Sequence, residues 1–188
     1  MPRAGLTPAV VVEEAARVAD RVGLGRLTLA SVAQQLGVAL PSLYKHVRGL
    51  DGLQQKLAVQ AVTELTAAIT AGAVGRSGRD ALHGVADAYR AYAKEHPGRY
   101  AASLRAPDPD DPAHLSVAAV AFDVFRAVLM GYGIEGDRAI HATRAARSML
   151  HGFVALENAG AFGLPQSVEI SYDLMVDAVD RALRGWPA

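Results

Sequence analysis

The stretch TLASVAQQLGVALPSLYKHV, residues 28–47, decides the fold expected for this chain. Apolar side chains in its first half recur at i, i+3, i+4 and i+7, which is the spacing of one face of a helix. They are Leu29, Val32, Ala33 and Leu36. Thr28 precedes this face as an N-cap residue, and Gly37 follows at the point where the chain reverses and often needs a positive φ. The first half therefore predicts a short helix that ends in a tight turn.

The second half predicts another helix, which begins near Pro41. Proline fits the first turn of a helix because its missing N–H would be unpaired there anyway. Leu43 and Val47, four residues apart, are expected to face the first helix. The outer surface is then polar and consists of Ser42, Tyr44, Lys45 and His46, with Arg48 just beyond. Such groups bind phosphates and base edges, so the pattern indicates a helix-turn-helix that reads the DNA major groove; an ordinary solvated helix end is the alternative.

This motif resembles a known family. Residues 27–53, LTLASVAQQLGVALPSLYKHVRGLDGL, resemble the DNA-binding domain of the TetR family of transcriptional regulators, in which a run similar to LYxHV ends the recognition helix. The resemblance implies that Thr28 contacts a phosphate, and that a reading surface is formed by Leu40, Pro41, Ser42, Tyr44, Lys45 and His46. The family often has a lysine shortly after this helix, where the chain has Leu50. Arg48 is the candidate for that phosphate contact.

A leading helix is predicted between Thr7 and Gly23. Thr7 and Pro8 combine an N-cap with a first-turn proline, and Gly23 closes the helix. The buried face of this helix is expected to consist of Val11, Val12, Ala15, Val18, Ala19 and Val22. With the motif it makes a three-helix domain. Arg3, in the N-terminal arm, either reaches a phosphate or the minor groove, or has no role.

Composition limits the classes of protein that fit. The chain has 188 residues, enough for one large or two small domains, and no cysteine, which excludes disulfides, thiol nucleophiles and cysteine-based zinc sites. No uninterrupted apolar run of roughly eighteen residues and no signal-peptide pattern is found. We therefore expect no membrane partner and a cytoplasmic location.

Charge is distributed unevenly although the chain as a whole is neutral. Residues 1–56 contain seven Lys and Arg residues against four Asp and Glu residues, a net charge of +3, which leaves −3 for the remainder. Phosphate contacts need cations only near the motif. A domain this weakly basic is expected to bind DNA usefully as a dimer, in which two copies add their contacts.

The rest of the chain has helical patterns and lacks the alternation typical of strands. Helices are predicted over about residues 51–69, 79–95, 97–104, 114–130, 137–158 and 167–184. Breaks at GAVGRSG (72–78) and APDPDDP (106–112) interrupt them. The predicted fold is all-α, with an N-terminal three-helix helix-turn-helix DNA-binding domain over residues 1–50 and a larger helical ligand-binding and dimerisation domain over residues 51–188.

The final predicted helix carries two apolar stripes. The first consists of Val168, Tyr172, Met175, Val176, Val179 and Leu183, and the second of Ile170, Leu174 and Ala178. A lone surface helix needs one such face, so two faces mean burial on both sides, either within one subunit or against a second one. The TetR resemblance implies a homodimer formed through the last two helices, with the two-fold symmetry that a palindromic operator requires.

A small-molecule effector is also implied by the resemblance. SMLHGFVALENAGAF, residues 148–162, is similar to a TetR-type C-terminal domain with a Trp-His-Gly signature, here with Leu150 in place of the tryptophan. An apolar pocket between helices would bind a small, largely apolar effector. Candidate lining residues, each of which also fits plain core or surface, are Tyr89, Tyr92, Phe122, Phe125, His151 and Glu157.

No catalytic constellation accompanies these features. The six histidines are scattered without an HExxH motif, and no phosphate-binding glycine loop or nucleophile elbow is present. The helical spacing of Asp80, His83 and Asp87 makes a metal site conceivable, but solvated surface pairs are favoured. We expect no enzyme activity, metal or cofactor. The chain is expected to be a TetR-like transcriptional repressor released from its operator by an effector; activation needs the same residues, and a helical protein-interaction module is the alternative.

Overall fold

The structure, a computed structural model, describes residues 5–187, and all regular elements in this range are helical. The α-helices are α1 (Pro8–Val22), α2 (Leu29–Leu36), α3 (Gly49–Ala73), α4 (Gly78–Glu95), α5 (Pro97–Ser103), α6 (Pro112–Met130), α7 (Gly136–Asn158) and α8 (Val168–Arg184). Two 3₁₀ segments cover Leu24–Arg26 and Leu40–Lys45. The all-α prediction is confirmed. Arg3 lies outside the described residues.

The chain divides into two compact units that are each discontinuous in sequence. The first comprises the described parts of residues 1–63 together with 96–117, and the second comprises residues 64–95 together with 118–187. Helices α3 and α6 each contribute to both units. The division into a domain of residues 1–50 and a domain of residues 51–188 stays a prediction.

The first unit has a core in which α1, α2 and the 3₁₀ segment Leu40–Lys45 bury their apolar faces. Thr7 caps α1, its Oγ1 accepting from the backbone N–H of Val10 at 3.3 Å. Gly23 ends the helix with a φ of 87°. The fully buried members of this core include Val11, Ala15, Val18, Ala19, Leu27, Val32, Leu43, Leu53 and Leu57. The predicted caps and inward faces of the leading helix and the motif are confirmed.

Helix α5 belongs to this first unit although it follows α1 by more than seventy residues. Gly98 is buried against α1, and a Cβ at this position would lie 2.1 Å from the carbonyl carbon of Ala19. The backbone N–H of Arg99 donates to Asp20 Oδ1 at 2.9 Å, and its guanidinium Nε lies 3.0 Å from Asp20 Oδ2. Helix α5 is therefore held against α1 by a close backbone approach and an ion pair.

The close approach at Gly98 is testable by adding one methyl group. We expect Gly98→Ala to lower the free energy of unfolding by about 1–3 kcal/mol, because overpacking against backbone atoms forces the two helices apart. Urea denaturation followed by circular dichroism measures this change. Gly163→Ala is the matched control, since a Cβ there meets nothing within 4 Å. Equal stability of the two variants would contradict the packing described.

The second unit packs the C-terminal part of α3 with α4, α7 and α8. Helices α3 and α4 cross at two glycines, where a Cβ on Gly72 would lie 2.2 Å from the carbonyl oxygen of Gly84. The Tyr172 hydroxyl donates to the carbonyl of Ala86 at 2.6 Å and joins α8 to α4. Fully buried side chains of this unit include Ile69, Leu82, Val85, Tyr89, Leu150, Val154, Tyr172, Val176 and Val179.

Helix α6 is long and apolar. It is the one helix among the described residues that is long and apolar enough to cross a membrane by length and composition, with a mean hydropathy of 1.6 in its best window. The sequence nevertheless has no uninterrupted apolar run here, because an average over eighteen residues tolerates the two charges, Asp123 and Arg126, that interrupt it. These two side chains pair at 3.1 Å, and such charges are costly in a bilayer. The absence of a membrane partner stays a prediction.

Candidate nucleic-acid interface

The first helix of the motif is capped at both ends as its sequence predicts. Thr28 Oγ1 accepts from the Ser31 backbone N–H at 3.0 Å, and Ser31 Oγ accepts from the Thr28 backbone N–H at 3.2 Å. This reciprocal pair satisfies two donors that a helix start otherwise leaves unpaired. At the other end Gly37 is left-handed, with φ 65° and ψ 33°. The Val38 N–H then donates to the Ala33 carbonyl at 3.0 Å and completes the turn.

The second helix of the motif differs from the prediction in its geometry. The segment Leu40–Lys45 is a 3₁₀ helix, closed by bonds such as Ser42 N–H to Ala39 O at 2.9 Å and His46 N–H to Leu43 O at 2.9 Å. A segment this short gains little from helical cooperativity. Tighter i→i+3 turns close over fewer residues. We call residues 40–48 the reading segment.

Two buried anchors determine which side chains of the reading segment face outward. Leu43 is fully buried and Val47 is 3% exposed, as predicted. Tyr44, between them, is 59% exposed. None of the side chains predicted to contact DNA is fully buried: Ser42 and His46 are half-buried, and the exposed ones are Thr28, Leu40, Pro41, Tyr44, Lys45 and Arg48. Their contacts with DNA stay a prediction.

A groove of about 660 Å³ lies beside the reading segment within the first unit. One wall is Tyr44 to Arg48, and another is a face of α3 that carries Gly52, Gln55, Lys56 and Val59. Residues 110–113, at the end of the proline-rich loop, complete the groove. The Gln55 side-chain amide donates to Asp111 Oδ2 at 2.9 Å and fixes this loop to α3. The sequence did not identify Gln55, Lys56 or the loop as part of this site. The one available signal was the helical spacing of residues 52, 56 and 59, which places them on one face of α3.

The side chains predicted to bind an effector all lie in the second unit. Tyr89 and Tyr92 of α4 are buried, as is Phe125 of α6; Phe122 of α6 and His151 and Glu157 of α7 are half-buried. The Tyr92 hydroxyl donates to Glu64 Oε2 at 3.1 Å. Their role in binding a ligand stays a prediction.

Glu157 already has strong intramolecular partners. The Arg90 guanidinium donates to both of its carboxylate oxygens, at 2.8 and 2.5 Å, and Lys94 Nζ lies 3.2 Å from Oε1. Arg90 also stacks on the ring of Tyr172, with its guanidinium carbon 4.7 Å from the ring centroid. The hydrogen bonds from Arg90, helped by Lys94, lower the pKa of Glu157 although burial opposes the shift. The cluster ties α4 to α7 and α8.

The Arg90–Glu157 cluster predicts a pH-dependent stability. Because the pKa of Glu157 is lower in the folded than in the unfolded chain, its ionisation stabilises the fold above its ordinary value of 4.5, and this contribution is lost as the pH falls through the folded pKa. We expect Glu157→Gln to lower the unfolding free energy by about 2 kcal/mol at neutral pH, with a smaller difference in acid. Urea denaturation at several pH values, from about 7 down to about 3, measures the difference in unfolding free energy between wild type and variant.

A control isolates the charge cluster from a general loss of a carboxylate. Glu135→Gln removes an exposed carboxylate at the start of α7 and should change stability little at any pH. A difference between wild type and Glu157→Gln that stayed constant across this range would contradict the cluster's electrostatic origin.

His83, considered as a metal ligand, has an ordinary polar contact with a carboxylate of α8. His83 Nε2 lies 2.9 Å from Asp177 Oδ1, and Arg79 reaches the same oxygen at 2.7 Å. Within residues 5–187 no group of three His, Cys, Asp or Glu side chains is placed to hold a metal ion. The helical spacing of Asp80, His83 and Asp87 therefore assembles no such group in this range.

Comparison with known proteins agrees with this architecture. The family model described as "Tetracyclin repressor-like, C-terminal domain" matches residues 82–179. The chain is 39% identical over 151 residues to the uncharacterized HTH-type transcriptional regulator Rv0681 of Mycobacterium tuberculosis, covering 80% of this chain and 69% of the relative. It is 37% identical over 161 residues to the uncharacterized HTH-type transcriptional regulator YobS of Bacillus subtilis, covering 86% and 84%.

A solved structure shares the fold along almost the whole chain. A TetR variant from Acinetobacter baumannii AYE, in complex with minocycline, superposes with a TM-score of 0.72 at 19% identity and covers 98% of this chain and 100% of its own. The chain belongs to the TetR family of helix-turn-helix transcriptional regulators. The family assignment made from residues 27–53 is confirmed, and so is the class of function, DNA-binding transcriptional regulation.

Proposed function

We propose that this regulator binds a palindromic DNA operator as a homodimer through its two reading segments. The observation that carries the proposal is the reading segment itself, in which buried Leu43 and Val47 leave Tyr44 and Lys45 exposed. Tyr44, Lys45, Ser42 and His46 reach base edges, while Thr28 and Arg48 contact phosphates. Leu40 and Pro41 supply apolar contact at the start of the segment. Such a regulator acts in the cytoplasm.

The exposed stripe of α8 supports the homodimer. Of the two stripes predicted for this helix, one is buried within the second unit, with Tyr172 and Val176 each 1% exposed. The other remains open, with Ile170 62% and Leu174 61% exposed. Large apolar side chains of α7 are also exposed, namely Met149 and Leu156. Exposed large apolar side chains on both helices suit an interaction site, and a second copy of the same two helices would supply a matching surface under two-fold symmetry.

The modest charge of the DNA-binding part favours the same assembly. Residues 1–56 carry a net charge of +3, so one copy makes few phosphate contacts. A dimer doubles them and places two reading segments on half-sites about one helical turn, 34–36 Å, apart. Specificity then depends on the spacing of the two segments as well as on their side chains.

We further propose that the regulator is a repressor released by a small, largely apolar effector that binds in the second unit. The aromatic residues Tyr89, Tyr92, Phe122 and Phe125 suit such a ligand, with His151 as a polar group. The minocycline complex of the similar Acinetobacter protein supports effector binding by this fold. An effector that prefers the dimer geometry unsuited to the operator would shift the population away from DNA.

The reading segment can be tested with the double variant Tyr44→Ala/Lys45→Ala. Both side chains are exposed, so the fold should persist while operator affinity falls at least tenfold, since a base contact contributes about 1–3 kcal/mol. Fluorescence anisotropy with a duplex selected by the protein from a random pool measures the affinity. Arg21→Ala removes an exposed cation of the first unit outside the groove and serves as control. A folded double variant with unchanged affinity would refute the proposed interface.

The same experiment separates the regulator from a protein-interaction module that does not read DNA. Log affinity of a DNA-binding regulator falls steeply and linearly with log salt because phosphate contacts release counterions. An interaction module would show neither operator selection nor such a slope.

The dimer surface can be tested with Ile170→Glu/Leu174→Glu. Because both side chains are exposed, each subunit should keep its helical content, while carboxylates in an apolar interface should convert the dimer to a monomer. Light scattering after size-exclusion chromatography gives the mass. Val74→Glu, at a 70% exposed position between α3 and α4, is the matched control. If the double variant remains dimeric, the partner contacts lie elsewhere.

A further inference from the structure

We propose that Lys56, outside the helix-turn-helix motif, is a further DNA-contacting residue that binds a backbone phosphate in the groove beside the reading segment. This inference rests on the proposed function, because it extends the DNA interface from α2 and the reading segment onto α3. The partner is the phosphodiester backbone of double-stranded DNA. Three independent observations on the first unit carry it: the face of α3 that bears Lys56, the charges of the groove and the loop that bounds it.

The face of α3 that bears Lys56 is turned towards the reading segment. Gly52, Lys56 and Val59 recur at i, i+4 and i+7, which places them on one side of the helix. All three line the groove together with Tyr44 to Arg48. Lys56 follows the start of α3 at Gly49 by seven residues, about 10 Å along the axis at 1.5 Å per residue. A DNA strand held by the reading segment therefore has a cation alongside it on α3.

The charges of the groove are unbalanced on this side. Lys45, Arg48 and Lys56 all line it, and within residues 5–187 none of the three forms a salt bridge. Other cations of the same unit are paired, among them Arg99 with Asp20 and Arg105 with Asp51. Three cations that form no salt bridge outnumber the two carboxylates of the groove, Asp110 and Asp111, and this excess of positive charge attracts an anion. A phosphate is the anion that the proposed partner supplies.

The carboxylates that line the same groove limit where that phosphate can lie. Asp111 is fixed by Gln55 and also accepts from the backbone N–H of His114 at 3.1 Å, at the start of α6. Asp110, beside it, is exposed in the same groove. These carboxylates repel phosphate and so oppose the attraction of Lys56. Replacing the lysine and replacing the neighbouring aspartate should therefore change DNA affinity in opposite directions.

Helix α3 carries a single cationic side chain, Lys56. Leu50 is half-buried and packs against the core of the first unit. It offers no charge at the start of α3. Lys56 is the lysine that α3 does present to the groove.

The proposal is tested by measuring DNA affinity against salt for Lys56→Ala, Lys56→Arg and Asp110→Asn. For Lys56→Ala we expect affinity to fall about three- to tenfold at low salt, and the slope of log affinity against log salt to become shallower by about one per subunit. The loss should be equal for the operator and for a scrambled duplex, because a phosphate contact carries no sequence information. Lys56→Arg should retain the wild-type slope, since it keeps the charge.

Asp110→Asn should raise the affinity for both duplexes about two- to fivefold, with a steeper slope, because it removes a repulsive charge from the groove. Arg21→Ala, an equal loss of charge outside the groove, should leave the slope unchanged. The inference is overturned if Lys56→Ala behaves like Arg21→Ala, or if Lys56→Ala weakens only the operator. Because the substituted positions are exposed, each variant should remain folded, and circular dichroism checks this.

Failure of this inference can be told from failure of the proposed function. If Tyr44→Ala/Lys45→Ala loses operator affinity while Lys56→Ala keeps the full salt slope, the reading segment stands and α3 does not contact the backbone. If neither variant changes binding, the proposed DNA interface itself is wrong.

Discussion

The burial of Leu43 and Val47 is the constraint on which the DNA-facing surface depends. The 3₁₀ segment Leu40–Lys45 is too short to be stable alone, so its geometry comes from these two anchors in the core of the first unit. Because these two side chains are buried, Tyr44 and its neighbours face outward. The capping pair of Thr28 and Ser31 holds the preceding helix, which supplies part of the pocket that the anchors fill.

The first unit is completed by a segment from much later in the chain. Helix α5 reaches α1 through Gly98 and the Arg99–Asp20 ion pair, and the following loop reaches α3 through Gln55 and Asp111. The DNA interface is thus built on more than the consecutive helices of the motif. Both α3 and α6 pass from this unit into the second, so the regions proposed for DNA and effector share continuous helices.

Helix α8 shows how one pattern supports two kinds of burial. Its first stripe is buried against its own unit, where Tyr172 donates to the Ala86 carbonyl and supports the Arg90–Glu157 cluster. Its second stripe, with Ile170 and Leu174, is left open and is available to a partner. Apolar periodicity predicted both faces, but it is the same for a face inside a subunit and a face between subunits. The exposures show which face is buried within the subunit, and the pairing of the open face with a second copy stays a proposal.

The sequence by itself determined the elements whose causes are local: the caps at Thr7 and Thr28, the left-handed turn at Gly37 and the inward anchors Leu43 and Val47. Each follows from a few neighbouring residues, and so did the family. Only the tertiary structure decided the 3₁₀ geometry of the reading segment, the groove with Lys56 and Asp110, and the engagement of Glu157 by Arg90. These join residues tens of positions apart, and periodicity along one helix carries no information about which distant face or charge will meet it.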